Sequence, residues 1–277
     1  MALIKLSISN LAWPNTPVES LAPRLAAAGI HGVEIAPTAI WPEAPRVPVE
    51  FVREYSGRWR DHGLDISGIQ SLLYGHPELQ LLDRAMWPAL RAHLTAMIEL
   101  AHELGAHIAV FGSPRNRIRG SVTAADANRL ATEFFHSLEP LLSASGVTLT
   151  LEPNAPGYGA DYLTHYGDVV ALSDTIGSRW IQPQVDTGCL TMVGEDPSHA
   201  IRTHTPAHVH ISVPDLLPPP GPVDHAAVVR ALEETGYDGW VVLEMLRTAT
   251  EPLNTALEAT RWLARTYPSL RPGDAES

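Results

Sequence analysis

The chain alternates short apolar runs with longer amphipathic ones from one end to the other. Eight short runs, at residues 4–9, 32–36, 65–70, 107–112, 147–152, 181–186, 207–212 and 240–244, are mostly rich in Val and Ile and bounded by Gly, Pro, Asn or Asp. That is the pattern of a β-strand. Between them lie stretches with apolar residues three and four apart, the spacing of one helix face. Helices are predicted over 18–28, 87–104, 124–145, 224–235 and 251–267, and a glycine placed as a C-terminal cap follows each of the first four.

The same phrase returns along the chain, a helix, a glycine and an apolar strand, as in AAAGIHGVEI, HELGAHIAVF, SASGVTLTLE and EETGYDGWVVLE. Unbroken alternation of this kind predicts an α/β fold with a parallel sheet. Eight strands, apolar at both ends of the series, predict a closed (β/α)8 TIM barrel rather than an open doubly wound sheet. No GxGxxG follows the first strand to suggest a dinucleotide site. No break in composition divides the chain, so a single barrel domain over 1–277 is expected, with a frayed tail from about residue 268. The Pro-rich LLPPPGP falls where a long loop after the seventh strand belongs.

Composition narrows the choice of partner. With 45% hydrophobic and 18% charged residues the chain reads as globular, and its net charge of -12 is spread along it. A diffuse acidic balance lacks the basic footprint of a nucleic-acid binder. The single cysteine, Cys189, rules out an intrachain disulfide and a Cys-rich zinc site. MALIKLSISN has neither the apolar run nor the cleavage site of a signal peptide. No stretch reaches the ~18 apolar residues of a membrane span. A cytoplasmic protein acting on a small molecule, with no nucleic-acid or membrane partner, is the expectation.

Barrel active sites form at the C-terminal ends of the strands. There the fifth strand ends TLTLEPN with Glu152, and the sixth ends IQPQVDTG with Asp186. The seventh ends HVHIS with His208 and His210 on one face, and the eighth ends WVVLEM with Glu244. A charged residue closing a buried strand is costly unless paired or metal-bound. One such carboxylate can simply pair with a neighbouring strand. Acidic and imidazole groups on successive strands, all at one end, converge on a common point. Their mixed oxygen and nitrogen set suits one divalent ion, manganese foremost, with cobalt, magnesium or zinc as alternatives.

The succession LEPN, VDTG, HVHIS with its Pro/Gly loop, and GYDGWVVLEM resembles the xylose isomerase-like TIM barrel family of sugar phosphate isomerases and epimerases. Ketose 3-epimerases and hydroxypyruvate isomerases belong to that group. The resemblance implies that Glu152, Asp186, His210 and Glu244 are the metal ligands. It also makes Glu152 and Glu244 an acid/base pair on opposite faces of a sugar-like substrate. It further implies an isomerase or epimerase working through a metal-stabilised enediolate, in a homodimer or homotetramer. The same residues are open to an inosose dehydratase-like lyase, or to a degenerate barrel serving as a binding subunit.

Three positions depart from the ketose 3-epimerase pattern. Cys189 stands where a His is frequent, Tyr158 where an acid is, and Leu216 where an Arg is. All three are substrate-handling positions. FGSPRNR, ISNLAW and IQSLLYG resemble a bacterial subgroup of the family whose substrates are less defined.

Other strand-end residues offer themselves to a substrate. Arg115 and Asn116, beside Arg117 and Arg119 in FGSPRNRIRG, can grip a phosphate or carboxylate, or the arginines can pair with the acidic surface. Trp13 in SNLAW is placed as an apolar wall for a sugar ring or as a plug of the barrel end. Gln70 is placed to bond a hydroxyl, and His208 shares the face of His210. Glu34, ending the second strand, is positioned either to orient a metal ligand through a hydrogen bond or to act as a buried structural partner.

Overall fold

The structure is a computed structural model that describes residues 4–268; the frayed tail expected beyond residue 268 lies outside them. Eight parallel strands close into a barrel in chain order, each hydrogen-bonded to its sequence neighbours and the first to the last. They are β1 Lys5–Ser9, β2 Gly32–Ile35, β3 Asp65–Ile69, β4 Ile108–Phe111, β5 Thr148–Leu151, β6 Ile181–Asp186, β7 His208–Ile211 and β8 Trp240–Leu243. Each falls within one of the eight expected runs. The barrel is the (β/α)8 fold that the alternation predicts.

The first two expected helices run closely as the spacing indicates, α1 over Val18–Ala27 and α3 over Trp87–Leu104. Between them lies α2, Val49–Arg60, which the apolar spacing does not reveal. Only Val52, Ser56 and Trp59 of α2 are buried, too thin a stripe to stand out in a polar segment. The single helix expected over 124–145 is two, α4 Ala124–His136 and α5 Glu139–Ser145. Pro140 explains the break, because a proline inside a helix removes a donor and clashes with the carbonyl four residues back. The remaining helices are α6 Tyr166–Ile176, α7 Thr187–Met192 and α8 Pro197–Thr203, then α9 His225–Glu234 and α10 Pro252–Thr266, the last two within a residue of the expected bounds.

The strands are buried, yet they alternate in polarity. Side chains that meet across the barrel identify the inward face. Ser7 on β1 shares a 2.7 Å hydrogen bond with Ser67 on β3, and Glu34 on β2 meets His208 and His210 on β7. Only inward side chains can reach a non-adjacent strand. The residues between them, such as Leu6, Ile8, Val33, Ile35, Val209 and Ile211, belong to one continuous apolar cluster with the helices. Stability therefore resides in a ring of packing between sheet and helices, where burial contributes about 25 cal/mol per Å². The barrel interior is a polar column.

Candidate metal centre

At the C-terminal end of that column Glu152, Asp186, His210 and Glu244 each present one ligand atom, and all four atoms lie within 4.8 Å of one another. The strands dictate this meeting. Asp186 and His210 are register partners across β6 and β7, while Glu152 and Glu244 lie one residue beyond β5 and β8. All four are buried, with Glu152 and Glu244 keeping 8% exposure each on the cavity side.

His210 is set from behind. Glu34, fully buried, accepts from Nε2 of His210 at 2.9 Å and from Nε2 of His208 at 2.8 Å. Burial alone would raise the Glu34 carboxyl, but the two imidazoles outweigh it and hold it at about 2. An ionised carboxylate only accepts, so both Nε2 atoms carry hydrogen. A bulge in the pairing of β2 with β3 at Val33/Glu34 sets Glu34 opposite Gly68. A Cβ on Gly68 would stand 2.9 Å from Glu34 Oε1. The Glu34, His208 and His210 atoms also lie close enough to hold an ion. Their N···O distances are those of ordinary hydrogen bonds, which places this trio as a brace.

The other nitrogen of His210 faces the carboxylates. Nδ1 is 2.9 Å from Glu152 Oε1, 3.3 Å from Glu244 Oε2 and 4.0 Å from Asp186 Oδ2. Nδ1 is buried at ion-pair distance from Glu152 and Glu244, with no hydrogen bond of good geometry to either. A buried nitrogen aimed between three carboxylates is the arrangement that suits a metal ligand. Burial lowers the His210 pKa, but Glu34 and Glu244 raise it further, to a net position well above the usual imidazole range. Asp186 is pushed up to about 7 by burial and by the charges of Glu152 and Glu244. The Glu244 carboxyl is raised too, chiefly by burial, with Glu152 adding to it. So much negative charge in one buried place calls for a cation.

Glu152 and Asp186 are held by groups the strand-end reading passed over. Gln184 donates to Glu152 Oε1 at 2.9 Å, and Asn154 donates to Oε2 at 3.1 Å. Ser212 donates to Asp186, as does the backbone N–H of Cys189 at 2.6 Å. Gln184 stands two before Asp186, Ser212 two after His210 and Asn154 two after Glu152, so strand alternation was the signal available. Gly112 must lack a side chain, because a Cβ there would collide with Glu152 Oε2. Arg117, fully buried, donates to the Glu152 carbonyl at 2.7 Å, and burial lowers its pKa to about 10. An arginine in a polar loop carries no sequence sign of such burial.

The cluster forms the floor of a cavity of about 750 Å³. Gln70, Arg115, Asn116, Tyr158 and Cys189 line it, as does Leu216. Gln70 donates to the Ser9 hydroxyl. Asn116 turns its amide hydrogens to the carbonyls of His76 and Leu79, at 2.7 and 2.9 Å. Tyr158 takes a 2.8 Å bond from the N–H of Asp215. The Cys189 thiol is held well above its usual range by burial and the nearby Asp186 charge, so it stays protonated. Two residues expected at the substrate lie elsewhere. Trp13 packs in the apolar ring, where an indole fills more space than any other side chain, and is absent from the cavity lining. His208 is fully buried behind His210, held there by Glu34.

A closed (β/α)8 barrel with an acidic, imidazole-bearing cluster at its strand ends defines a class of barrel proteins equipped to bind a metal ion. The family of xylose isomerase-like TIM barrels matches residues 23–266, and the chain belongs to it. Comparison with curated protein sequences gives no match. Among solved structures, D-psicose 3-epimerase from Clostridium cellulolyticum H10 superposes with a TM-score of 0.80 at 16% identity, over 95% of this chain and 99% of that one. The 3-keto-D-glucoside 4-epimerase of E. coli does so at 0.79 and 17%, over 95% and 99%. An AP endonuclease, family 2, from Brucella melitensis gives 0.74 and 19%, over 96% and 99%. At these identities the likeness is one of fold. No helix among the described residues is long and apolar enough to cross a membrane.

Proposed function

We propose that the protein is a divalent-metal-dependent isomerase or epimerase that moves a proton on a sugar or sugar derivative. One observation carries this reading: the buried, unpartnered Nδ1 of His210 aimed into the carboxylates of Glu152, Asp186 and Glu244. In this reading those four residues hold the ion, manganese first, with cobalt, magnesium or zinc as alternatives. When bound, the ion draws electron density from a carbonyl and its neighbouring hydroxyl and so acidifies the adjacent C–H. Glu152 and Glu244 handle the proton, one removing it and the other, or the same one, returning it. Return to the opposite face of the same carbon gives an epimer. Return to the neighbouring carbon gives an aldose–ketose isomer.

The surroundings of the two glutamates support a division of roles. Glu152 is fixed by Gln184, Asn154 and the gap over Gly112. Glu244 has its pKa raised, chiefly by burial, and no side chain among the described residues is bonded to it as Gln184 and Asn154 are to Glu152. The sugar epimerases among the structural neighbours lend the substrate class. Product analysis in deuterated water tests the reading. Deuterium in an isomeric product supports it, loss of water favours a lyase, and a purified protein that neither contains nor responds to Mn, Co, Mg or Zn refutes it.

A further inference from the structure

The cavity has two halves of different chemistry. Its buried lining carries the polar Gln70, Glu152, Asn154, Asp186 and Glu244, beside Leu73, Val110 and Cys189. Its more exposed lining is mainly apolar, with Leu11, Tyr74, Pro77, Pro114 and Leu216, interrupted by Ser71, Ser113, Arg115 and Tyr158. A volume of about 750 Å³ falls in the upper half of the range of ~300–1,000 Å³ that ligand pockets occupy. A free monosaccharide reaching the carboxylates would leave the outer half to water, against apolar side chains.

The outer wall is built to hold its shape. Tyr74 and Pro77 belong to the loop between β3 and α3, which is tied to the loop after β4. Asn116 bonds the carbonyls of His76 and Leu79, its own carbonyl accepts the N–H of Leu81 at 2.8 Å, and Gln80 bonds the Arg115 carbonyl at 2.7 Å. Tyr74 nevertheless remains 72% exposed, a large ring displayed over the cavity. A fixed apolar surface that opens onto a site, with an aromatic left uncovered, binds a rigid apolar group at small entropic cost. Among the described residues Arg115 is the only Lys or Arg in the lining, and it is exposed. One exposed cation is a poor phosphate cradle.

We propose that the substrate is a keto-glycoside: a polyhydroxylated ring, bearing the carbonyl that the proposed proton transfer needs, that reaches the carboxylates and is joined to an apolar, preferably aromatic, group that lies against Tyr74, Pro77 and Leu216. The polyol half of this assignment rests on the function proposed above, whereas the apolar half rests on the outer wall alone.

Calorimetry on the metal-loaded protein tests it with matched probes: the phenyl and methyl β-glycosides of glucose, galactose and xylose, and glucose 1-phosphate. For at least one sugar the phenyl glycoside should bind tenfold or more tightly than its methyl counterpart, since apolar pockets discriminate small groups by factors of ~10–200. Tyr74→Ala should remove most of that advantage while leaving metal binding unchanged. A phenyl advantage below threefold for every sugar, including no binding at all, overturns the proposal. So does glucose 1-phosphate as the tightest probe, or a phenyl advantage that survives Tyr74→Ala. Repeating the titrations without metal separates the two readings, because the phenyl preference should persist there even if the isomerase reading fails.

Discussion

His210 on β7 donates from Nε2 to Glu34 on β2, 2.9 Å away across the barrel. That single bond decides which nitrogen of the imidazole is turned toward the carboxylates. Replacing Glu34 with Gln keeps the shape but leaves one oxygen and one NH2 to face two N–H donors. Metal affinity should fall ~10–100-fold, the usual effect of losing such a partner. Titration calorimetry with Mn is the measurement, and unchanged affinity would remove Glu34 from the argument.

Metal binding should strengthen as pH rises. In the metal-free protein Asp186 is protonated up to about 7, against 3.8 for an ordinary aspartate. A raised carboxylate opposes folding as it ionises, so its unfavourable contribution grows as pH climbs from about 4 to about 7 and is complete above that. An ion must displace this proton, and that of His210 as well. Apparent affinity should therefore rise about tenfold per pH unit for each proton released below pH 7. Proton release measured in two buffers of different ionisation heat checks the count.

Gly112→Ala adds a methyl where Glu152 Oε2 stands. A displacement of the glutamate by ~1 Å is enough to cost about 100-fold in rate. Solvent deuterium exchange into substrate should drop by that order, with the circular dichroism of the barrel unchanged. Retained exchange would show that Glu152 is not the proton carrier.

Asn116→Ala cuts the amide bonds that pin residues 76 and 79. Leaving such groups unmet costs ~1–3 kcal/mol, so the urea midpoint should shift by that equivalent. Proteolysis should then begin in the segment between β3 and α3.

The barrel and the acidic cluster are legible because both rest on period-two patterning and on chain order. Strand ends reveal Glu152, Asp186 and Glu244 directly, since a carboxylate closing an apolar run is conspicuous. What joins Glu34 to His210 is a relation between second and seventh strands, 176 residues apart, which no local pattern contains. The burial of Arg117 is likewise a product of how two loops fold together. Trp13, placed from the sequence as a sugar wall or a barrel-end plug, is buried in the apolar cluster and outside the cavity lining. The break at Pro140 lay open to a reading of the proline, whereas the thin buried stripe of α2 did not stand out.

The alternation along each strand assigns the two tasks of the molecule to different residues. Outward positions pack against the helices, whereas inward ones carry the polar groups of the column, many of them bonded to one another across the barrel. A library confined to Thr150, Gln184, His208 and their inward neighbours would vary the polar column, at a folding cost wherever a buried bond such as Thr150 to Gln184 is lost. One confined to Val209, Ile211 and their outward neighbours would vary thermal tolerance with the reaction untouched.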